Sequence, residues 1–340
     1  MSKRTACALY LGFLALPALA QTAPEPAAAA AAPQAEQEAV QAQVLVSGRR
    51  PGPGLWKVSK GSHVMWVFGL YSPLPQKMEW DAGRVERLVA QSQEVLEPPV
   101  ARLEVGFFRS LTLMPGMIGM KKNPDGATLH DVLPADVYAR WTALKAKYIG
   151  NDDGVERYRP FFAAEELLSA GLKKNGLSGG HEVREQIEKI ADKNKVKLSF
   201  SGIAMEVDSP SRVLKEFKKG QMDDVACFTK TLDRLEGDIE ATRVRANAWA
   251  NGDIAEIRAL DYREREDACN DAVLNASFAK DNKAFQNTRE RVREAWLKKA
   301  EQSLAVNAST FAMLQMKDIA DPAGYLAALQ AKGYTVDSPK

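Results

Sequence analysis

Leu55-Trp56-Lys57-Val58-Ser59-Lys60-Gly61-Ser62-His63-Val64-Met65-Trp66-Val67-Phe68-Gly69 is the stretch that decides the fold. Leu55 to Val58 and Val64 to Phe68 are runs of β-branched, aromatic and large apolar residues, separated by the polar, glycine-containing residues 59–62. Such a break between two β-prone runs predicts a hairpin. Downstream, Val85, Leu88, Val89 and Leu96 recur at helical spacing, as do Val137, Trp141, Leu144 and Tyr148, so both segments are expected to be amphipathic helices. A third helix, over residues 181–193 on Val183, Ile187 and Ile190, runs into a short strand over residues 195–200. A helix feeding a strand points to an α/β arrangement.

From Ser209-Pro210 the chain reads as mostly helical to about Ser303, with Ser209 as cap, Pro210 in the first turn, and breaks at Gly220, Asn251-Gly252 and around Asn275. Residues 310–316 return as a strand and residues 322–332 as a helix ended by Gly333, and residues 334–336 form a last strand. The expected fold is therefore α/β, with a central mixed sheet built from both ends of the chain, helices wrapped around it, and a long helical middle segment.

The amino terminus reads as a secretory signal over residues 1–20. Lys3 and Arg4 supply the positive end, residues 6–16 the apolar run, and Ala18-Leu19-Ala20 the small-x-small cleavage site. The run is short of the roughly 20 residues of a membrane span, and Pro17 interrupts it. Residues 21–43, almost all Ala, Pro, Gln and Glu, are expected to form a disordered linker, and residues 44–340 one domain. Periplasmic localisation is expected, with secretion as the alternative.

Of 46 basic and 44 acidic residues, the signal takes Lys3 and Arg4, leaving 44 of each. Neutrality argues against a nucleic-acid partner, whose phosphates call for a basic excess. The absence of long uncharged stretches argues against an integral span.

With Cys7 removed in the signal, Cys227 and Cys269 are the two remaining thiols, and in an oxidising compartment they are expected to form a structural disulfide. The histidines are His63, His130 and His181, none in paired-ligand spacing. Surface or capping roles are the simpler account of each. Met114, Met117 and Met120 lie in an apolar stretch with helix breakers. They read as core filler beneath a loop, with an adaptable surface for an apolar ligand or peptide as the alternative. Asn275-Ala276-Ser277 and Asn307-Ala308-Ser309 match a glycosylation pattern that has no use in a bacterial periplasm.

Residues 55–58, Trp66-Val67-Phe68-Gly69 and Gln91-Ser92-Gln93-Glu94-Val95-Leu96-Glu97 together resemble the opening of the TraB/GumN family, related to the Tiki metalloproteases. Residues 247–253, the flanking cysteines and residues 329–336 resemble its carboxy-terminal part. The resemblance implies a central sheet wrapped by helices, with two Gly-x-x-His motifs and an acidic residue converging on a divalent metal. Here the first motif falls on Gly69-Leu70-Tyr71-Ser72 and the second on Gln315-Met316-Lys317-Asp318, so Ser72 and Asp318 replace both histidines. Glu97 alone matches in type, at the family's acidic position.

A serine hydroxyl is a poor ligand for zinc-like ions, and one carboxylate cannot hold a transition metal tightly. No cofactor is therefore expected. The main expectation is a noncatalytic pseudoenzyme that binds an envelope protein or peptide. The alternative is a metal-dependent peptidase or hydrolase with an atypical site, in which Glu97 and Asp318 offer oxygen ligands to a hard divalent cation. A purely structural role, or one in polysaccharide export, has no residue-level support.

Overall fold

The computed structural model describes residues 52–104, 113–207, 209–220, 222–237, 239–258, 263–280 and 282–339. The expected signal, its Cys7, the linker and the start of the domain near Val44 lie outside them.

Ten strands are described: β1 (Leu55–Lys60), β2 (His63–Leu70), β3 (Leu74–Pro75), β4 (Glu94–Leu96), β5 (Ala101–Glu104), β6 (Leu177–Ser178), β7 (Lys197–Ser199), β8 (Ile203–Glu206), β9 (Ser309–Gln315) and β10 (Thr335–Asp337). Six of them make one sheet in the order β10-β1-β2-β9-β4-β7. The hairpin expected from the opening stretch is present, with Leu55 opposite Phe68 and Lys60 opposite His63. Gly61 takes the positive φ of 60° that such a tight turn requires. β2 then runs parallel to β9, from Val64 beside Ser309 to Leu70 beside Gln315. β9 also runs parallel to β4, and β4 to β7. β10 closes the outer edge against β1. The sheet is mixed and joins both ends of the chain, as expected.

Successive strand residues point to opposite faces. Val67 and Phe68 are both fully buried, and so are Phe311, Ala312, Met313 and Leu314, so both faces of the central strands are covered. That is why these strands read as unbroken apolar runs rather than alternating ones. The cover comes from the helices Gly83–Ala90 and His181–Lys193, through Val85, Val89, Val183 and Ile187, and from Thr288–Val306 and Tyr325–Ala331, through Trp296, Ala300, Leu304 and Leu329. A second core gathers Trp141, Leu167, Phe228 and Leu232 among the helices Ala135–Tyr148, Pro160–Lys174 and Val225–Gly237. The Cys227–Cys269 disulfide joins Val225–Gly237 to Arg263–Leu274.

Three expectations need correction. The helix over Val85 and Val89 stops at Ala90, and Leu96 belongs to β4 instead. Ser92 Oγ donates to the Leu88 carbonyl near the helix end, and parallel pairing with β9 and β7 then takes Val95 and Leu96 into the core. Ser209 makes no side-chain cap, and Pro210 alone does the work of opening its helix, Pro210–Lys219. Met114 and Met117 are not core filler, since they stand 62 % and 51 % exposed on a short helix over residues 113–117. Apolar composition had suggested burial, but among the described residues nothing covers them fully.

Candidate functional site

Because β2, β9, β4 and β7 all run the same way, their carboxyl ends share one edge of the sheet. In open α/β sheets that edge is where ligands bind. Ser72 follows β2, Lys317 and Asp318 follow β9, and Glu97 follows β4. The fold therefore brings Ser72, Lys317 and Asp318 to the same edge. A cavity of about 1280 Å³ opens there, lined among others by Tyr71, Ser72, Arg184, Gln315, Lys317 and Asp318. Glu97 reaches it through its contact with Arg184 rather than lining the cavity itself.

Gly69 sits one layer below, and its role is steric. A Cβ there would collide with Met316 Sδ and press on the Trp56 ring. Its carbonyl accepts a 2.7 Å hydrogen bond from buried Trp249 Nε1. The first motif's glycine is thus bound to the Asn247–Asp253 segment, the other part of the chain that carried the resemblance.

Ser72 and Glu97 are both already engaged. Ser72 Oγ donates to the Gly179 carbonyl at 2.7 Å, just ahead of the helix His181–Lys193. Gly180, at φ 74°, lets that turn press against the Tyr71 carbonyl. Glu97 is bracketed by two guanidinium groups, with Arg102 Nη2 donating at 3.0 and 3.2 Å and Arg184 Nη2 at 3.2 Å. Arg184 is itself held by Glu188 at 2.6 Å. The Lys317 ammonium pairs with Glu266.

Asp318 is the one acid here with a clearly perturbed carboxyl. Burial, reinforced by the neighbouring Glu266, Asp321 and Asp267 and only partly offset by Lys317, pushes it up to about 6. Tyr325, beside it, is raised as well, by burial first and then by the Asp318 charge.

These donors are a poor fit to a tightly held transition metal. One hydroxyl is spent on a carbonyl, one carboxylate is charge-matched by two arginines, and the third titrates near neutrality. Among the described residues no group of three His, Cys, Asp or Glu side chains could hold an ion. Of the histidines only His181 lines the cavity, exposed at the start of its helix. His63 Nδ1 meets the Asn307 carbonyl at 2.8 Å at the opposite edge. His130 lies beside Asp131 at 3.8 Å and edge-on to Tyr138.

Sequence reading missed Arg102 and Arg184, which come from β5 and from the first turn of the helix His181–Lys193 and carry no motif. It also missed the network at the far end of β4. There Glu94 accepts hydrogen bonds from Ser303 Oγ at 2.5 Å, Ser199 Oγ and Lys299 Nζ at 2.6 Å, and Asn307 Nδ2 at 3.4 Å. Burial raises this carboxyl, but the bonds from Lys299, Ser199 and Ser303 and the Lys299 charge outweigh it and bring it down to about 2.

Compared with known proteins, residues 54–338 match the family model described as the TraB/PrgY/gumN family. No curated protein and no solved structure matches the chain.

Proposed function

The chain belongs to the TraB/PrgY/gumN family, and from that premise we propose that it is an exported, noncatalytic protein of the bacterial envelope that uses the former catalytic cleft to bind a partner protein or peptide. The observation that carries this reading is Glu97. The one acid retained at a ligand position is neutralised by Arg102 and Arg184, and a cation placed beside it would have to displace two guanidinium groups. The cleft nevertheless has a volume of about 1280 Å³ and a mixed lining that includes Arg184, Lys317, Asp318 and Tyr71, which suits recognition of a polar partner. Export is supported by the Cys227–Cys269 bridge, which persists in oxidising compartments, and by the signal-like amino terminus. No described helix is long and apolar enough to cross a membrane.

Elemental analysis of protein purified without chelator tests the proposal, together with peptide-cleavage assays on the native chain and on Glu97→Ala. The expected result is no stoichiometric metal and no cleavage in either. Near-stoichiometric metal, lost together with cleavage in Glu97→Ala, would make the protein a peptidase with an atypical site and overturn the proposal. Affinity capture from envelope extracts with a tagged chain is expected to recover a partner that Arg184→Glu loses.

A further inference from the structure

Outside the cleft, Met114, Met117 and Ile118 stand 62 %, 51 % and 77 % exposed within five residues of chain. Residues 113–117 form a short helix, and Gly119, at φ 75°, turns the chain back toward Lys121 and Lys122. Residues 113–122 contain no acid. The tip is held from behind by the helix Pro210–Lys219, whose own residues are nowhere fully buried. Lys218 Nζ donates to the carbonyls of Gly116 at 3.3 Å and Ile118 at 2.9 Å, and the Leu214 side chain fills the space beside Gly116. That helix is anchored in turn by buried Arg159, which donates to the carbonyls of Phe217, Lys218 and Gly220 at its carboxyl end.

The helix carries Arg212, Lys215, Lys218 and Lys219 against the single acid Glu216, which lies 3.9 Å from Arg212. Lys215 and Lys219 each follow by one residue the pair that touches the tip. They therefore stand about 100° further round the helix, at the border of the apolar knuckle, and both are exposed. Consecutive apolar residues on a turn offer no groove for a folded partner, and the neighbouring charge is predominantly positive, its acids Glu216 and Glu166 being set against Arg212 and Lys121. An apolar tip bordered by lysines matches an interface that is apolar in depth and anionic at its surface.

We propose that residues 114–118 insert shallowly into the headgroup layer of an anionic lipid bilayer, with Lys122, Lys215 and Lys219 against the headgroups. This surface is separate from the cleft and stands whether or not the cleft binds a partner. Co-sedimentation of the purified chain with vesicles tests it, using equal parts phosphatidylglycerol and phosphatidylcholine against phosphatidylcholine alone. Binding is expected to the anionic vesicles only and to weaken with salt. Ile118→Asp is expected to cost at least about ten-fold in vesicle affinity. Lys215→Ala with Lys219→Ala is expected to cost roughly thirty-fold, at about five-fold per lysine. The milder pair Met114→Ser with Met117→Ser serves as a second apolar variant, and thermal unfolding of all three is expected to match the native chain because every altered side chain is exposed. Equal binding to neutral vesicles, no binding to anionic ones, or affinity untouched by Ile118→Asp would overturn the proposal. So would a self-association, measured by sedimentation without vesicles, that the same substitution abolishes.

Discussion

Glu94 and Asp318 lie at opposite ends of the same parallel strands, and their surroundings push their carboxyls in opposite directions. Glu94, at the amino end of β4, is met by a lysine, two serines and an asparagine and is drawn down to about 2. Asp318, beyond the carboxyl end of β9, is pushed up to about 6 by burial and, to a lesser degree, by the acids around it. One edge of the sheet is closed by a satisfied network. The other holds a carboxyl at a cost in stability.

The largest effect that would sharpen this contrast is expected from Glu94→Ala. It leaves the Lys299 ammonium without its partner in a mostly buried position and should lower unfolding free energy by about 3 kcal/mol, measured by urea denaturation. Lys299→Met in the same chain should recover much of that loss. A loss under about 1 kcal/mol would put the network on a par with ordinary surface pairs.

The same carboxyl sets the acid response. Its folded value lies below the unfolded one, so its contribution is complete above pH 4.5 and is lost as pH falls toward about 2. Roughly 2–3 kcal/mol should disappear across that window, and Glu94→Gln should flatten it.

Asp318 has the opposite sign. Its raised carboxyl favours the folded state at low pH, and that contribution is lost as pH rises from 3.8 through about 6. Asp318→Asn should therefore leave stability near pH 4 unchanged and raise it at pH 8 by about 1 kcal/mol, a figure reduced for partial exposure. Melting temperatures at the two pH values would show this, and destabilisation at pH 8 would break the comparison.

The smallest effect is expected from Glu97→Gln, under about 1 kcal/mol, because Arg184 keeps Glu188 and Arg102 is already half exposed. Differential scanning calorimetry resolves such a change.

How much of this was legible follows from the range of each signal. The hairpin, the helix His181–Lys193 and the closing Tyr325–Ala331 with Gly333 were readable because each rests on periodicity and a turn residue within a few positions. β4 was not, since three residues are too few to show a period and Leu96 continues the apparent spacing of the helix before it. The Glu94 network draws on residues 199, 299, 303 and 307, and the bracket on Glu97 on residues 102 and 184. Neither leaves a local trace, whereas Ser72 and Asp318 could be placed through the family motif they interrupt. The exposure of Met114 and Met117 was invisible for another reason, because composition reports what a side chain is and not what packs over it.

The position of β9 has a consequence for the order in which the molecule is made. It is synthesised well after both of its neighbours yet sits between β2 and β4, two strands that emerge from the ribosome long before it. Until that late segment arrives, β2 and β4 lack their shared neighbour and the nascent chain cannot complete its sheet.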